Sequence, residues 1–137
     1  MTLANSGSYR LTSDLRLVVL LGSDTDAISI LGDDVSLDLN GFAVRCERLS
    51  SPFGACKGLP GTSDGIAIQG ENTHVHDGTV RGFPQHGING QQTGTRYLIE
   101  GMRVIENGVN GLESAGNGQT LRSLFADNGT YGIHGRA

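Results

Sequence analysis

Apolar and polar residues alternate along most of this chain. Val35, Leu37 and Leu39 are separated by single polar residues, and Tyr97 and Ile99 repeat the same spacing. Successive side chains of a β-strand point to opposite faces, so a period of two is typical of strands with one buried face. No ten-residue window carries a convincing helical stripe. The pattern predicts an all-β chain of short strands with no substantial α-helix.

One short phrase, an aliphatic residue directly after glycine or alanine, recurs along the chain. Its aliphatic residue stands at Ile28, Ile66, Ile88, Leu112 and Ile133, so the last three intervals are 22, 24 and 21 residues. Six Asn-Gly pairs also allow an antiparallel meander of hairpins. A meander has no reason to repeat one phrase in the same direction, whereas a coil of stacked parallel strands has. The repeat therefore favours a solenoid.

Three longer phrases are similar to those of uncharacterised bacterial secreted β-helix proteins. They are GSYRLTSDL at 7–15, VSLDLNGFAV at 35–44 and GTVRGF at 78–83. Nearly the whole chain resembles the right-handed parallel β-helices of the pectate-lyase-like superfamily. The resemblance implies a single all-β domain over residues 1–137, a right-handed parallel β-helix of about five rungs. It implies no particular activity, because the superfamily contains lyases, hydrolases, epimerases and phage tail adhesins.

Glycine and asparagine are expected at the corners between strands, since both tolerate a positive φ angle. Glycine makes up 22 of the 137 residues, which is well above its usual share. Asn107 and Asn128 occupy the same place in successive repeats. We predict that their side chains stack as a hydrogen-bonded ladder.

The interval from Ile28 to Ile66 is 38 residues, longer than the others. The extra length falls in residues 45–63, which are rich in Gly, Pro and Ser and are expected to form a loop. The only two cysteines, Cys46 and Cys56, lie there, and we interpret them as a disulfide that pins the loop; a reduced pair is the alternative. A disulfide favours a periplasmic or secreted location. Residues 1–10 show no signal-peptide pattern, so a leader is expected to be absent from this chain.

Charge and composition limit the partners. The net charge is −4 and the ten Lys and Arg residues are scattered along the chain, which argues against nucleic acid. No apolar run approaches the roughly 18 residues of a membrane span. We expect no cofactor, and no metal site, because no histidine lies near the two cysteines. A polysaccharide is the expected partner.

The repeats also align on a glycine, at positions 32, 70, 94 and 118, that precedes an alternating strand. Strand alternation then predicts one row of core residues and two rows that face solvent. The core row is Leu37, Val75, Ile99 and Leu121; the first outward row is Asp38, His76, Glu100 and Arg122; the second outward row is Ser36, His74, Leu98 and Thr120.

The outward rows have two interpretations. Asp38, His76 and Glu100 are candidate catalytic residues, because glycoside hydrolysis uses two carboxylates about 5 to 9.5 Å apart. The competing interpretation is a ladder of alternating charge that reduces repulsion between stacked strands. We favour this ladder, since the clustered aspartates of polygalacturonases and the calcium cage of pectate lyases are not evident. The candidate ligand-binding residues beside the row are Ser36, His74 and Arg122.

Three functions follow from this pattern. We expect a non-catalytic module that binds a glycan or a surface partner. The alternatives are a polysaccharide-active lyase or glycoside hydrolase that uses the Asp/His/Glu row, and a structural assembly protein. Residues 131–137 stop partway through a rung with no capping helix. Because an uncapped end invites another chain, we predict a homo-oligomer, most simply an end-to-end dimer.

Overall fold

The computed structural model describes residues 1–22, 24–49, 54–90, 95–115 and 117–135. Gly94 and residues 50–53 of the predicted loop lie outside the described residues. The described chain is all-β, as the alternating pattern predicts, and none of its segments is a helix that could cross a membrane. The strands are β1 (Thr2–Leu3), β2 (Gly7–Arg10), β3 (Leu15–Val19), β4 (Ile28–Ile30), β5 (Val35–Asp38), β6 (Ala43–Arg48), β7 (Gly54–Ala55), β8 (Ile66–Ile68), β9 (Thr73–Arg81), β10 (Ile88–Gly90), β11 (Tyr97–Ile105), β12 (Asn110–Ser114), β13 (Gly118–Leu121), β14 (Leu124–Ala126) and β15 (Tyr131–Gly135).

The strands form two sheets in which nearly all neighbours run parallel. The first sheet has the strand order β1-β4-β8-β10-β12-β15, and the second sheet has the order β13-β11-β9-β5-β2. Further parallel strands extend the second sheet, where β3 pairs with β6, β6 with β9 and β14 with β11. Among the described strands, β6 and β7 form the one antiparallel pair. Because the chain alternates between parallel sheets, the antiparallel meander is excluded.

The recurring aliphatic residues pair with one another across the first sheet. This register confirms the alignment predicted from the repeated phrase. All except the last are buried, and Ile133 on β15 is 48% exposed. Removal of apolar surface from water is the main favourable term in folding, so these residues anchor each repeat to the next. In strand order they are Ile28, Ile66, Ile88, Leu112 and Ile133.

The second sheet contributes two more rows of aliphatic side chains to the same core. Every member of these rows is fully buried. The core is therefore a stack of small aliphatic layers, which suits a chain with few aromatic residues and no tryptophan. One row is Leu37, Val75 and Ile99, and the other is Val44, Val80 and Val104.

Asn107 and Asn128 form the predicted ladder. The side-chain amide and the backbone N–H of Asn107 both donate to Asn128 Oδ1 at 3.0 Å. Asn107 Oδ1 in turn accepts the backbone N–H of Phe83 at 3.1 Å. Asn107 is completely buried, so its side chain satisfies backbone groups that water cannot reach.

Gly32 and Gly70 contact each other, as their alignment predicts. A Cβ atom on Gly70 would lie 1.9 Å from the carbonyl oxygen of Gly32. Any side chain there would force the two turns apart. Glycine is thus required at this corner by the close approach of two backbone segments.

Cys46 and Cys56 form the predicted disulfide. The segment around it is only partly a loop, because β6 continues to Arg48 and residues Gly54–Ala55 pair antiparallel with its end. The expectation of a loop from residue 45 onwards is therefore wrong at its start. Cys46 belongs to an alternating strand whose other inward residue is Val44, and both cysteines join the core.

The last repeat pairs one residue away from the predicted register. Glu100 lies opposite Leu121, and Ile99 lies opposite Thr120. Leu121 is 49% exposed, so the expectation that it enters the core is wrong. The corner between β12 and β13 spans residues 115–117, whereas that between β10 and β11 spans residues 91–96. The corner before β13 is thus three residues shorter, and a register shift by an odd number of residues exchanges the two faces of a strand.

We expect Asn107→Ala to lower the free energy of unfolding by about 2 to 3 kcal/mol, because it leaves the buried N–H of Phe83 without an acceptor and removes the bond to Asn128. Urea unfolding followed by circular dichroism measures the change. Asn5→Ala, at an exposed position, is the control and should stay within about 0.5 kcal/mol of the wild type. Equal stability of the two variants would contradict a structural role for the ladder.

Candidate functional site

The predicted outward row lies across three neighbouring strands of the second sheet. Asp38 on β5 pairs with His76 on β9, and His76 pairs with Glu100 on β11. Ser36 and His74 lie opposite each other two residues earlier on the same strands. Alternation turns all five side chains away from the core. Strand pairing alone therefore brings these candidate residues together.

The two histidines stack on each other, with ring centroids 4.4 Å apart. His74 Nε2 lies 3.2 Å from Glu100 Oε1, and His76 Nε2 lies 3.5 Å from Ser36 Oγ. Each histidine thus contacts a polar group on a neighbouring strand. These contacts tie β5, β9 and β11 together on their outer face.

Asp38 is held in its ionised form. Its Oδ1 accepts the backbone N–H of Asn40 at 2.7 Å, and its Oδ2 accepts the Nε–H of Arg10 at 3.0 Å. The Asn40 N–H is the main reason that the pKa of Asp38 lies below its ordinary value, and Arg10 and His76 lower it further. A carboxyl group with a lowered pKa is poorly suited to act as a general acid near neutral pH.

Glu100 lies between two basic side chains. Its Oε1 contacts His74, and its Oε2 accepts a hydrogen bond from the guanidinium of Arg122. Arg122 has a φ angle of +46°, which is unfavourable for a residue with a side chain. This turn follows β13 directly and lets the Arg122 guanidinium reach Glu100. Arg122 is therefore beside Glu100, although not in the strand register that the glycine alignment predicts.

Asp77 joins this row without having been predicted. Strict alternation would turn its side chain towards the core, but its φ angle is +60°. Although Asp77 belongs to β9, it is not paired in register with a residue of β11, β5 or β6. The change of direction leaves Asp77 exposed, with its Oδ2 2.7 Å from His76 Nδ1. Gly101 on β11 has a φ angle of +62° at the same level. The glycine at 101 and the Asp-Gly pair at 77–78 are the sequence signals that could have located this bend.

Asp38, His76 and Asp77 are also the group best placed to hold a cation. One ligand atom from each lies within 4.8 Å of the others. Their polar atoms are nevertheless already engaged, since Asp38 accepts from Arg10 and Asn40, and His76 contacts Asp77. The geometry of this group alone therefore assigns no metal.

The row is poorly arranged for glycoside hydrolysis. Asp38 and Glu100 are on strands separated by β9, which places their Cα atoms roughly 10 Å apart. A glycosidase needs the space between its two carboxyl groups for a sugar and a water molecule. Here the ring of His76 stands between the two strands. Each carboxylate also has a basic neighbour, so the arrangement serves charge balance better than proton transfer.

Asp38 and Glu100 line neither of two well-formed depressions on the described surface. One, of about 330 Å³, lies beside His74 and is bordered by Arg96 and Gln119. The other, of about 420 Å³, lies beside the disulfide on β3 and β6. Four arginines line this second depression, so the basic residues that are scattered in the sequence are partly gathered in the fold.

A second polar ladder, which the repeats did not predict, runs along one corner. In each repeat, one side chain accepts the backbone N–H of its counterpart in the next repeat. These residues stand directly before the glycine or alanine of the recurring phrase, which is the signal that could have identified them. His86 takes part through Nδ1, which accepts the backbone N–H of Asn110 at 3.3 Å. The ladder runs through Asp26, Asp64, His86, Asn110 and Tyr131.

Comparisons with protein-family models, with curated proteins and with solved structures give no match for this chain.

The second polar ladder, to which Asp64 belongs, predicts that the stability of the protein depends on pH. Burial raises the pKa of Asp64, and Asp26 adds to this effect, against hydrogen bonds from Asn89 and His86. A raised pKa in the folded state contributes stability below the unfolded value of about 3.9, and this contribution is lost as pH rises through the folded pKa. Asp64→Asn removes the titration. We expect its unfolding free energy, relative to the wild type, to increase between about pH 3.5 and 7 in urea unfolding.

Asp38→Asn is the matched control because its shift has the opposite sign. The pKa of Asp38 is lowered, so its contribution is present above the unfolded value and is lost as pH falls through the folded pKa. The stability of this variant relative to the wild type should therefore decrease as pH rises over the same range. Parallel curves for the two variants would show that the corner carboxylate is not destabilised by burial.

Proposed function

We propose that the chain is a right-handed parallel β-helix of the pectate-lyase-like kind that acts as a non-catalytic module for binding glycans or a cell-surface partner. Three features support this fold. The strands pair in parallel, the chain alternates between two sheets, and equivalent residues of successive repeats pair in register. A rigid stack of this kind offers long, regular outer faces on which side chains recur at the strand spacing of about 4.8 Å.

We infer the absence of catalysis from the basic side chains that contact the two carboxylates of the outward row, Asp38 and Glu100. Asp38 has a lowered pKa and is bonded to Arg10, while Glu100 contacts both His74 and Arg122. Catalytic pairs of carboxyl groups usually have pKa values that their environments push apart, with one kept protonated near neutral pH. The lowered pKa of Asp38 is the opposite of what the protonated member of such a pair needs.

A polysaccharide-active enzyme is the second candidate, favoured by one observation. Asp38, His76 and Glu100 lie in register on three neighbouring strands, as a lyase or glycoside hydrolase using this row would need. Any cleavage by this route must be lost in Asp38→Asn and in His76→Ala. A structural assembly protein is the third candidate and would bind no glycan.

The disulfide supports a periplasmic or secreted location for this module. Cys46 and Cys56 are both buried in the core, so the bond is part of the fold. Disulfides persist in oxidising compartments and are rare where thiols are kept reduced. Residues Gly54–Ala55, next to Cys56, edge the larger of the two depressions.

A panel of neutral and acidic polysaccharides tests the binding function. We expect the wild-type protein to be retained on at least one of them, with no release of reducing ends or of unsaturated products over a day. Retention follows from the rigid, pre-organised outer face, and the lack of products follows from the neutralised carboxylates. Turnover that disappears in His76→Ala would instead support the enzyme.

We further propose that the chain self-associates through its last strands. Four large apolar side chains there are about half exposed, at 48 to 54%. No described strand pairs with the outer edges of β13, β14 and β15, which leaves backbone N–H and C=O groups free to pair. A second copy matches both features, because it presents the same edge and the same apolar residues. The four residues are Leu121, Leu124, Tyr131 and Ile133.

Light scattering coupled to size exclusion tests this association. We expect a wild-type dimer at micromolar concentration and a monomer for Ile133→Glu, because a buried charge at the contact lacks a partner. Leu31→Glu is the control, because Leu31 directly follows β4, away from the last strands, and is similarly exposed at 46%. This variant should leave the dimer intact. A monomeric wild-type protein would contradict this proposal. A dimer that binds no glycan would favour the structural assembly protein.

A further inference from the structure

Three arginines stand in one outward row on neighbouring strands of the second sheet. Arg16 on β3 pairs with Arg45 on β6, and Arg45 pairs with Arg81 on β9. Parallel strands lie about 4.8 Å apart, so the Cα atoms of these arginines repeat at about that spacing. Like charges aligned in this way repel one another unless anions lie between them.

The row forms one wall of the depression of about 420 Å³ beside the disulfide. Arg48 also lines it, so four of the ten Lys and Arg residues of this acidic chain face one depression. Glu47 is the one carboxylate among its described lining residues. The depression is therefore locally basic on a protein whose net charge is −4.

The four arginines are only partly neutralised by the protein itself, because three carboxylates in the described part of the chain pair with them: Glu47, Glu106 and Asp14, whose Oδ2 lies 3.8 Å from Arg45 Nη2. Glu47 is shared, since its Oε2 lies 3.6 Å from Arg16 Nε and its Oε1 lies 3.0 Å from Arg45 Nε. The Arg45 contact has ion-pair distance but not hydrogen-bond geometry, and Arg45 Nε is buried without an acceptor among the described residues. Arg48 Nε is also buried without one. Two buried guanidinium donors thus point to an acceptor that the described chain does not supply.

The existing ion pairs would yield readily to a ligand. Arg81 pairs with Glu106 at 3.1 Å, and the two side chains are 44% and 42% exposed. Exposed pairs of this kind contribute little to stability, so an incoming anion can replace or share them at small cost. A guanidinium binds an oxyanion through two parallel N–H donors, which gives strong, charge-assisted hydrogen bonds.

We propose that this depression binds an acidic glycan, a polysaccharide that carries carboxylate or sulfate groups. The inference rests on the proposed glycan-binding function and names its ligand class. A row of evenly spaced arginines suits a polymer with repeated anionic groups better than a single small ion. The described lining contains no aromatic side chain on which a neutral sugar ring or a nucleobase could stack.

Three dextrans with the same backbone test the inference. Dextran sulfate, carboxymethyl dextran and unmodified dextran are titrated into the wild-type protein by isothermal calorimetry at low ionic strength. We expect binding of at least one of the two charged dextrans and none of unmodified dextran. The two charged forms decide whether sulfate or carboxylate is preferred. Binding should weaken as salt is added, because exposed charges are screened over about 10 Å at 0.1 M.

Arg48→Gln/Arg81→Gln removes two guanidinium groups of the depression and should weaken binding of the charged dextran by at least about tenfold. Arg96→Gln/Arg103→Gln removes two arginines that do not line this depression. The affinity of this variant for the charged dextran should stay within about twofold of the wild-type affinity. Arg81→Gln alone, at a half-exposed position, should show a smaller loss and covers the case in which the double variant fails to fold. Thermal unfolding verifies the fold of each variant.

The outcomes separate this inference from the proposed function. Equal losses in both double variants would mean a general charge effect and overturn the inference. Retention on neutral glycans of the panel, with no charged dextran bound, would overturn it while the glycan-binding function stands. A failure of every glycan to bind would overturn both. Binding of duplex DNA as tight as that of dextran sulfate would overturn the assignment to a glycan.

Discussion

In-register pairing of parallel strands is the constraint on which the rest of this structure depends. Each residue has as its neighbour the counterpart from the next repeat, as the row from Ile28 to Leu112 shows. Aliphatic positions therefore become core rows, and polar positions become ladders. Asn107 and Asn128 form one such ladder, and the corner from Asp26 to Tyr131 forms another. Both satisfy backbone groups that the corners would otherwise leave unpaired.

The same constraint brings charged side chains close together on the outer face. Asp38 and Glu100 are balanced by Arg10 and Arg122, so the row with His76 at its centre is close to neutral. The arginine row on β3, β6 and β9 has three carboxylate partners, Asp14, Glu47 and Glu106, whereas the Nε–H of the neighbouring Arg48 lacks an acceptor among the described residues. Charge that the protein leaves uncompensated is the better guide to a binding surface, since burial of an unpaired donor has a cost that a ligand removes.

The repeat, the register of its five copies on the first sheet and of the first three on the second, and the disulfide could all be predicted, because each depends on residue type and spacing alone. The last copy on the second sheet could not, since the corner before Thr120 is shorter than the one before Ile99 and shifts the strand by one residue. Asp77 was missed for a related reason. A single residue with positive φ interrupts strand alternation, and the period of two carries no trace of such a bend.

The sequence by itself determined which residues enter the core and which rows face outward over most of the chain, because alternation and a repeat length are local properties. It also determined that Asp38, His76 and Glu100 lie opposite one another, which follows from strand pairing once the repeats are aligned. Only the tertiary structure decided where the basic charge gathers. Arg16, Arg45 and Arg81 are far apart in sequence and carry no common motif, and they meet only because β3, β6 and β9 are neighbours in one sheet.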